Sequence, residues 1–146
     1  MAGMSWQQWQ SVRSVTLDGF FNVTQPLLLP MLRTRWGRIV CVSSISAIFG
    51  NRGQVNYAAA KSGLHGAARS LAREVAARGV TVNVVAPGII ESESIAGSFD
   101  ADTIASLVPM KRAGTPQEVA DVIGFLASDQ ASYLSGQVIA VNGGMG

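Results

Sequence analysis

Two residues in the middle of the chain have the types and the spacing needed for proton transfer. Tyr57 and Lys61 belong to the segment YAAAK, and residues four apart lie on one face of an α-helix, so the phenol and the ammonium point the same way. A free tyrosine has a pKa of about 10, and a nearby positive charge favours the phenolate. Lys61 would therefore make Tyr57 a usable acid or base. The pair alone is also typical of a half-buried tyrosine beside a solvated lysine.

Further polar and turn-forming residues stand at the ends of two apolar runs. Ser44 belongs to CVSSIS, where a β-rich run ends, and it precedes Tyr57 by thirteen residues. Pro87 and Gly88 end the second run, VTVNVVA. Ligands of open α/β sheets bind outside the carboxyl ends of the strands, so these residues would face one site. Each of them alone could be a simple turn or strand stop, but their order and separations together indicate an active site.

Hydrophobic periodicity and helix caps predict the elements that must position these residues. Ser5 is a suitable N-cap for a long helix, which Pro26 and Pro30 should kink or interrupt. Thr115 and Glu118 have the spacing of a capping box. The predicted helices cover residues 5–35, 56–78, 101–107 and 115–128, and the predicted strands cover residues 38–43, 80–86 and 137–141, with a loop containing Gly50 and Gly53 after the first strand. This alternation predicts an α/β fold with parallel strands.

The composition is that of a single globular domain. Its 146 residues suffice for one core, and 48% hydrophobic against 14% charged residues argues against long disorder. The net charge is +2 without a run of lysine and arginine, so no nucleic-acid partner is expected. No apolar stretch approaches the roughly 20 residues of a membrane span, and the first residues have no signal-peptide pattern.

Neither the single cysteine nor the single histidine suggests a metal site. Cys41 lies in an apolar run and is expected to be a small buried side chain, which suits a reducing cytoplasm. His65 has no cysteine or second histidine nearby, and we place it at the surface or at an interface.

Three longer motifs carry a resemblance to a known family. They are VSS, NYAAAKSGLHGAARSLAREVAARGVTVNVVAPGII and KRAGTPQEVADVIGFLASDQASYLSGQVIAVNGG. Over nearly its whole length the chain resembles the C-terminal, catalytic half of a short-chain dehydrogenase/reductase, and NYAAAK, LAREVAARGVTVNVVAPG and VNGG are especially similar to the 3-oxoacyl-[acyl-carrier-protein] reductases. The resemblance implies one catalytic half-domain over residues 1–146, folded as the C-terminal part of a doubly wound parallel sheet of the Rossmann type.

The resemblance implies a role for each matching residue. Tyr57 would protonate the carbonyl oxygen as hydride arrives, Lys61 would support the tyrosine and bind the nicotinamide ribose, and Ser44 would hold the substrate carbonyl. Ser92 stands where the family usually has a threonine hydroxyl near the carboxamide. The residues implied to contact the cofactor, which is NADP or alternatively NAD, are Tyr57, Lys61, Pro87, Gly88, Ile90 and Ser92.

The resemblance also implies a substrate and an assembly. The substrate would be a 3-oxoacyl thioester linked to acyl carrier protein, reduced during fatty acid or polyketide-type synthesis in the cytoplasm. The alanine- and glycine-rich face of the helix over residues 56–78 permits a close backbone approach, either inside the domain or against a second copy. The resemblance favours a homo-oligomer, a dimer or tetramer, formed by this helix and the preceding one.

One departure from the family lies on the first long helix. Aligning the FF pair and the preceding leucine places Thr16 where the family has its catalytic asparagine. In the family the main-chain carbonyl at this position holds a water linked to the lysine, and any residue supplies that carbonyl. The side-chain amide, which helps to shape the helix kink, is lost, so we expect a weakened proton relay.

The second departure concerns the cofactor site. No glycine-rich fingerprint occurs in the sequence, and no strand–helix units precede Ser5. The N-terminal units that form the adenosine and pyrophosphate site in the family are therefore expected to be absent, so that either the chain is a fragment or a partner supplies them. The strand over residues 38–43 would then have an exposed edge.

Three functional hypotheses remain open at this point. The chain could reduce a 3-oxoacyl thioester, act on another carbonyl or alcohol substrate such as a steroid, a sugar or a polyketide intermediate, or serve as a non-catalytic assembly module. Cofactor binding by the chain separates the third hypothesis from the other two. The sequence does not distinguish NADP from NAD, because the residues that would meet the 2′-phosphate lie in the missing units.

Overall fold

Helices and strands alternate along the chain in the computed structural model, which describes residues 1–92 and 100–146. The helices are α1 (Trp6–Arg13), α2 (Gly19–Thr34), α3 (Ser46–Phe49), α4 (Val55–Val75), α5 (Ala101–Leu107) and α6 (Pro116–Ala127), and the strands are β1 (Gly37–Val42), β2 (Val80–Pro87) and β3 (Val138–Val141). A π-helical segment, Ser14–Asp18, joins α1 to α2. Among the helices of residues 1–92 and 100–146, none has the length and apolar character that crossing a membrane requires.

The three strands form one parallel sheet in the order β1-β2-β3. Gly37 pairs with Val80 at the start of the β1–β2 ladder, and Val84 pairs with Val138 at the start of the β2–β3 ladder. β2 lies in the middle and is buried from Val80 to Ala86, as its apolar run predicted. The predicted α/β fold with parallel strands is confirmed.

The central strand packs against helices on both of its faces. Val80, Val82 and Val84 form one core cluster with Ala68, Ala72 and Val75 of α4. Val85, which points to the other face, packs with Val119 and Leu126 of α6 and with Ala131. Each fully buried valine stabilises the fold by roughly 1.5–3 kcal/mol, so β2 is the anchor that fixes both layers relative to the sheet.

The first helical stretch differs from its prediction at the prolines. The Ser5 capping box is present, with Gln8 as its partner, but α2 runs through Pro26 and Pro30 without interruption. The carbonyls that lose their usual donors belong to Asn22 and Pro26, and both residues are exposed, so water can satisfy them. The irregularity lies earlier, in the π-helical segment around Thr16.

The helix that carries Tyr57 and Lys61 has the predicted extent. α4 continues into a single 3-10 turn, Ala76–Arg78, and the chain turns at Gly79 with φ +70°. A Cβ at Gly79 would come 2.3 Å from the carbonyl oxygen of Arg35, so only glycine fits there. The loop predicted after the first strand contains a short helix, α3, that the sequence pattern did not reveal.

Candidate active site

The carboxyl ends of the strands bring Ser44, Pro87 and Gly88 to one edge of the sheet. Beyond the end of β1, the Ser43 amide donates to the Val85 carbonyl at 2.7 Å and the Ile45 amide to the Pro87 carbonyl at 2.9 Å. The Gly88 amide donates to the Val141 carbonyl at 2.9 Å. Ser44 is thus held between two residues that are tied to β2, beside the Pro87–Gly88 turn.

Lys61 reaches the same edge from α4. Its ammonium donates to the Val42 carbonyl at 2.8 Å, and its Nζ lies 5.7 Å from the centre of the Tyr57 ring. Burial lowers the pKa of Lys61 below its ordinary value, and the nearby Cys41 opposes this effect. An ammonium has three N–H donors, so two remain for other acceptors after the bond to Val42. The lysine is therefore fixed in place and still able to bind hydroxyl groups.

Ser44 is oriented by the turn that begins α3. Its Oγ accepts a hydrogen bond from the Ser46 amide at 3.2 Å, and its carbonyl accepts one from the Ala47 amide at 3.0 Å. A hydroxyl has one proton and two acceptor lone pairs. Because Ser46 occupies an acceptor position, the Ser44 proton is available for donation to a substrate oxygen.

Side-chain bonds connect α3 and α1 to the start of α4. The Ser46 hydroxyl donates to Gln54 Oε1 at 3.1 Å, and the Ser62 hydroxyl donates to the Ala47 carbonyl at 2.7 Å. Asn56 donates to the Gln8 carbonyl at 3.1 Å and accepts from the Tyr57 amide at 2.9 Å. These contacts hold the turn that bears Tyr57, and the sequence analysis did not find them, because they join residues without a periodic pattern.

Thr16 lies in the π-helical segment and lines a groove of about 330 Å³. Lys61, Cys41 and Val42 line the same groove. The Gly19 amide donates to the carbonyls of both Ser14 and Thr16, so the helix is widened around Thr16 without an asparagine side chain. The structure thus brings Thr16 and Lys61 to one groove.

The residues that follow β2 do not all lie at the edge occupied by Ser44 and Lys61. A Cβ at Gly88 would lie 2.8 Å from Asn142 Cα, so a close approach of the two loops requires glycine there. Ile90 forms a parallel bridge to Gly114 and lines a separate cavity of about 340 Å³ towards α6. Ser92 is exposed at the end of the first described range. Pro87 and Gly88 therefore border Ser44, while Ile90 faces the α6 side.

Two residues outside the predicted set also border Lys61. Burial raises the pKa of Cys41 from 9.0 to about 11, although Lys61 acts in the opposite direction, so its thiol stays protonated at neutral pH. His65 is half-buried, and its Nε2 lies 2.8 Å from Ser43 Oγ. The expectation that His65 lies at the surface or at an interface stays a prediction, and the structure adds a contact with a buried serine that the sequence did not reveal.

Comparisons with known proteins match the sequence along the whole chain. The family model described as "Enoyl-(Acyl carrier protein) reductase" matches residues 1–146. A 3-oxoacyl-[acyl-carrier-protein] reductase of Aggregatibacter actinomycetemcomitans is 49% identical over 140 residues, which are 95% of this chain and 58% of that protein. The protein of the same name from Aquifex aeolicus is 49% identical over 144 residues, 97% of this chain and 58% of the relative. That of Escherichia coli is 45% identical over 141 residues, with 95% and 58% covered. The chain thus spans less than two thirds of the length of these relatives.

Proposed function

Since the chain belongs to the short-chain dehydrogenase/reductase family and is close to its 3-oxoacyl-[acyl-carrier-protein] reductases, we propose that it supplies the catalytic residues for reducing a 3-oxoacyl thioester, linked to acyl carrier protein, to the 3-hydroxyacyl form. The observation that carries the proposal is the shared position of Ser44 and Lys61 at the end of β1, with Tyr57 beside the lysine.

Four residues have distinct roles in the proposed carbonyl reduction. Ser44 donates a hydrogen bond to the ketone oxygen and orients it, because its own acceptor position is held by Ser46. Tyr57 gives its phenolic proton to that oxygen as negative charge develops there, which yields the alcohol. The Lys61 ammonium stabilises the phenolate left on Tyr57, which regains a proton from solvent. Thr16, in the same groove as Lys61, lies where a water could return that proton.

A nicotinamide cofactor, NADP or alternatively NAD, supplies the hydride for the carbonyl carbon when it is bound. The donor chemistry of this edge fits the nicotinamide riboside portion. Lys61 has two N–H groups left for ribose hydroxyls, the Tyr57 ring lies beside it, and Pro87 and Gly88 border the same edge. Ile90 lines the neighbouring cavity towards α6, where it would pack along the nicotinamide. Ser92 would meet the carboxamide.

The proposed assembly is a homo-oligomer, a dimer or tetramer. Gly63, one of the small residues on α4, is used within the chain, since a Cβ there would come 2.8 Å from Leu17. A Cβ at Gly66 would meet nothing within 4 Å, and Phe21 and Val23 of α2 are exposed. These residues leave a surface on α2 and α4 that a second copy could cover.

The experiment uses a chimera, in which this chain is joined to the part of the Aquifex aeolicus relative that lies outside the match. Oxidation of NADPH and of NADH is followed with a 3-oxoacyl and with a 2-enoyl thioester of acyl carrier protein, because the relatives and the family model are named for these two reductions. We expect turnover of the 3-oxoacyl substrate. Turnover of the enoyl substrate alone, or of neither substrate by a folded chimera that binds cofactor, would contradict the proposal.

A further inference from the structure

Ser43 and His65 form a contact that the proposed mechanism does not use. Ser43 is 4% exposed and directly follows β1. Its Oγ lies 2.8 Å from His65 Nε2 and 3.2 Å from the main-chain carbonyl oxygen of Lys61. The hydroxyl therefore stands between a ring nitrogen and the backbone of the lysine that serves the active site.

Counting protons assigns a direction to these two bonds. Ser43 has a single hydroxyl proton and cannot donate it to both His65 and Lys61. If His65 carries a proton on Nε2, the ring donates to Ser43 and Ser43 donates to the Lys61 carbonyl, so that every group has a partner. If Nε2 is bare, the serine proton goes to the ring and the bond from Ser43 to the Lys61 carbonyl is lost, so these part-buried groups make one hydrogen bond fewer. The geometry favours the arrangement in which the ring donates.

The bonds to Val42 and Ser43 determine how firmly Lys61 is held. Its ammonium is bonded to the Val42 carbonyl at 2.8 Å, and its own carbonyl is bonded to the hydroxyl of the next residue, Ser43. Val42, the last residue of β1, and Ser43, the residue after it, thus hold both ends of Lys61. A displacement of α4 along the sheet would have to break both bonds.

We propose that His65, acting through the Ser43 hydroxyl, is a positioning residue that fixes the turn of α4 carrying Lys61. This inference rests on the proposed function, in which Lys61 supports Tyr57. The role does not require a charged imidazole, because the neutral ring with a proton on Nε2 donates equally well. Burial, followed by the neighbouring Arg69, lowers the pKa of His65 and keeps the ring neutral near pH 7.

The first test is independent of turnover. Long-range ¹⁵N NMR of the chimera, with ¹⁵N-histidine confined to the 146-residue portion by segmental ligation, reports which ring nitrogen of the single histidine in that portion is protonated. We expect the proton on Nε2 at pH 7.5, where the imidazole of His65 is neutral because its pKa is lowered. A proton on Nδ1 with a bare Nε2 would overturn the proposal, since the ring could not then donate to Ser43.

The second test compares two substitutions through Lys61 itself. The 146-residue portion of the chimera has two lysines, so ¹³C-lysine placed in that portion by segmental ligation gives two titrating signals, and Lys111→Arg assigns them. His65→Leu removes the donor, and we expect the pKa of Lys61 to rise towards 10.5 as the ammonium becomes more mobile and better solvated. His65→Gln supplies an amide N–H in place of Nε2–H and should recover most of this shift. Equal titration of Lys61 in all three proteins would overturn the proposal.

The third test uses the chimera. We expect His65→Leu to lower kcat about tenfold or more with a small change in KM, because a misplaced catalytic group can cost up to about 10²-fold. His65→Gln should recover most of kcat, Ser43→Ala should match His65→Leu, and the exposed Ser70→Ala serves as the control. An unfolded His65→Leu leaves Ser43→Ala to decide, and full activity of Ser43→Ala would overturn the proposal. If the unsubstituted chimera shows no turnover, the proposed function fails, while the tautomer and the lysine titration still decide the role of His65.

Discussion

Ser44 and Lys61 are each fixed by one main-chain partner that leaves the reactive part of the group free. The Ser46 amide occupies an acceptor position of Ser44 and leaves the hydroxyl proton, whereas the Val42 carbonyl occupies one donor of Lys61 and leaves two. Both partners lie on the backbone, so the orientation depends on the ends of β1 and α3 more than on neighbouring side chains. This arrangement suits a site in which the substrate oxygen and a proton donor must meet without prior rearrangement.

Replacement of the proposed acid is the sharpest test at the scale of one residue. In the chimera, Tyr57→Phe keeps the ring and removes the proton, so we expect carbonyl reduction to fall by about 10²-fold or more while the cofactor still binds. Tyr133→Phe is the matched control, because Tyr133 is the other tyrosine of the chain and is fully exposed at 101%. Stopped-flow measurement of NADPH oxidation, with cofactor fluorescence for binding, gives both quantities. Retention of more than about a tenth of the rate by Tyr57→Phe would exclude it as the acid.

The residue at position 16 gives a second test in the chimera. Thr16→Asn restores the amide that the family has there, and the π-helical segment already provides the widened turn, so we expect an equal or higher kcat. Thr24→Asn adds the same amide to another residue of the same groove and should bring no gain. The measurement is steady-state turnover, with circular dichroism to check folding. A large loss of rate in a folded Thr16→Asn protein would show that the alignment of the first helix is wrong.

At the scale of elements, periodic patterns predicted α4, β2 and α6 closely, because each has an apolar face set by the packing that it makes in the core. The short helix α3 escaped prediction because it is held by bonds to Gln54 and Ser62, which lie further along the chain. The candidate site residues Ser44, Tyr57 and Lys61 were chosen from one motif and one strand end, and the structure places them near one edge of the sheet. The contact between Ser43 and His65 could not, since it joins a strand end to a residue 22 positions later and leaves no local pattern.

The N-terminus of α6 gives a prediction about acid stability. Hydrogen bonds from Arg112, and then from the Thr115 amide, lower the pKa of Glu118 from 4.5 to about 2. A carboxylate with a depressed pKa stabilises the folded state above its unfolded pKa, and this stability is lost as the pH falls through the folded value. We therefore expect Glu118→Gln to lower Tm by about 1–3 °C above pH 5 and the difference to shrink between pH 4.5 and about 2.

Thermal melts of the chimera, followed by circular dichroism across this pH range, check the prediction for Glu118. Glu74→Gln, at an exposed position of α4, is the control, and its Tm difference from the unsubstituted protein should be the same at all pH values. A difference between Glu118→Gln and the unsubstituted chain that stays constant down to pH 2 would show that the carboxylate charge is not its cause.

At the scale of the whole molecule, the central and edge strands of the sheet differ in burial. β2 is buried almost throughout, whereas β1 is half-buried and, within the described residues, pairs with β2 alone. The high apolar content of the sequence predicted extensive burial or interfaces, and a substantial part of it remains exposed near β1 and α2: Val15, Phe21, Val23, Leu27, Leu29 and Val42. The surface along β1 is therefore suited to being covered by further polypeptide.

The last prediction concerns the 146-residue chain by itself. We expect it to bind NADPH or NADH very weakly and to self-associate or aggregate. Dinucleotide affinity in such folds depends strongly on a pyrophosphate seated at a helix N-terminus beside a glycine-rich turn, and the sequence has no such turn. Within residues 1–92 and 100–146, one edge of β1 has no strand partner, and this edge, with the apolar side chains beside it, provides the surface for association. Titration with NADPH, with molecular size followed by light scattering, measures both properties.

Two variants separate association through the edge of β1 from non-specific association. Val23→Lys with Val42→Lys places charges in the groove beside β1 and should reduce the scattering, whereas Tyr133→Lys, at a fully exposed position elsewhere, should not. The affinity for NADPH should stay equally weak in both, because neither change supplies a pyrophosphate site. Micromolar binding by a well-behaved monomer would contradict the prediction. It would mean that this chain builds its cofactor site from the carboxyl ends of β1 and β2 without the glycine-rich turn.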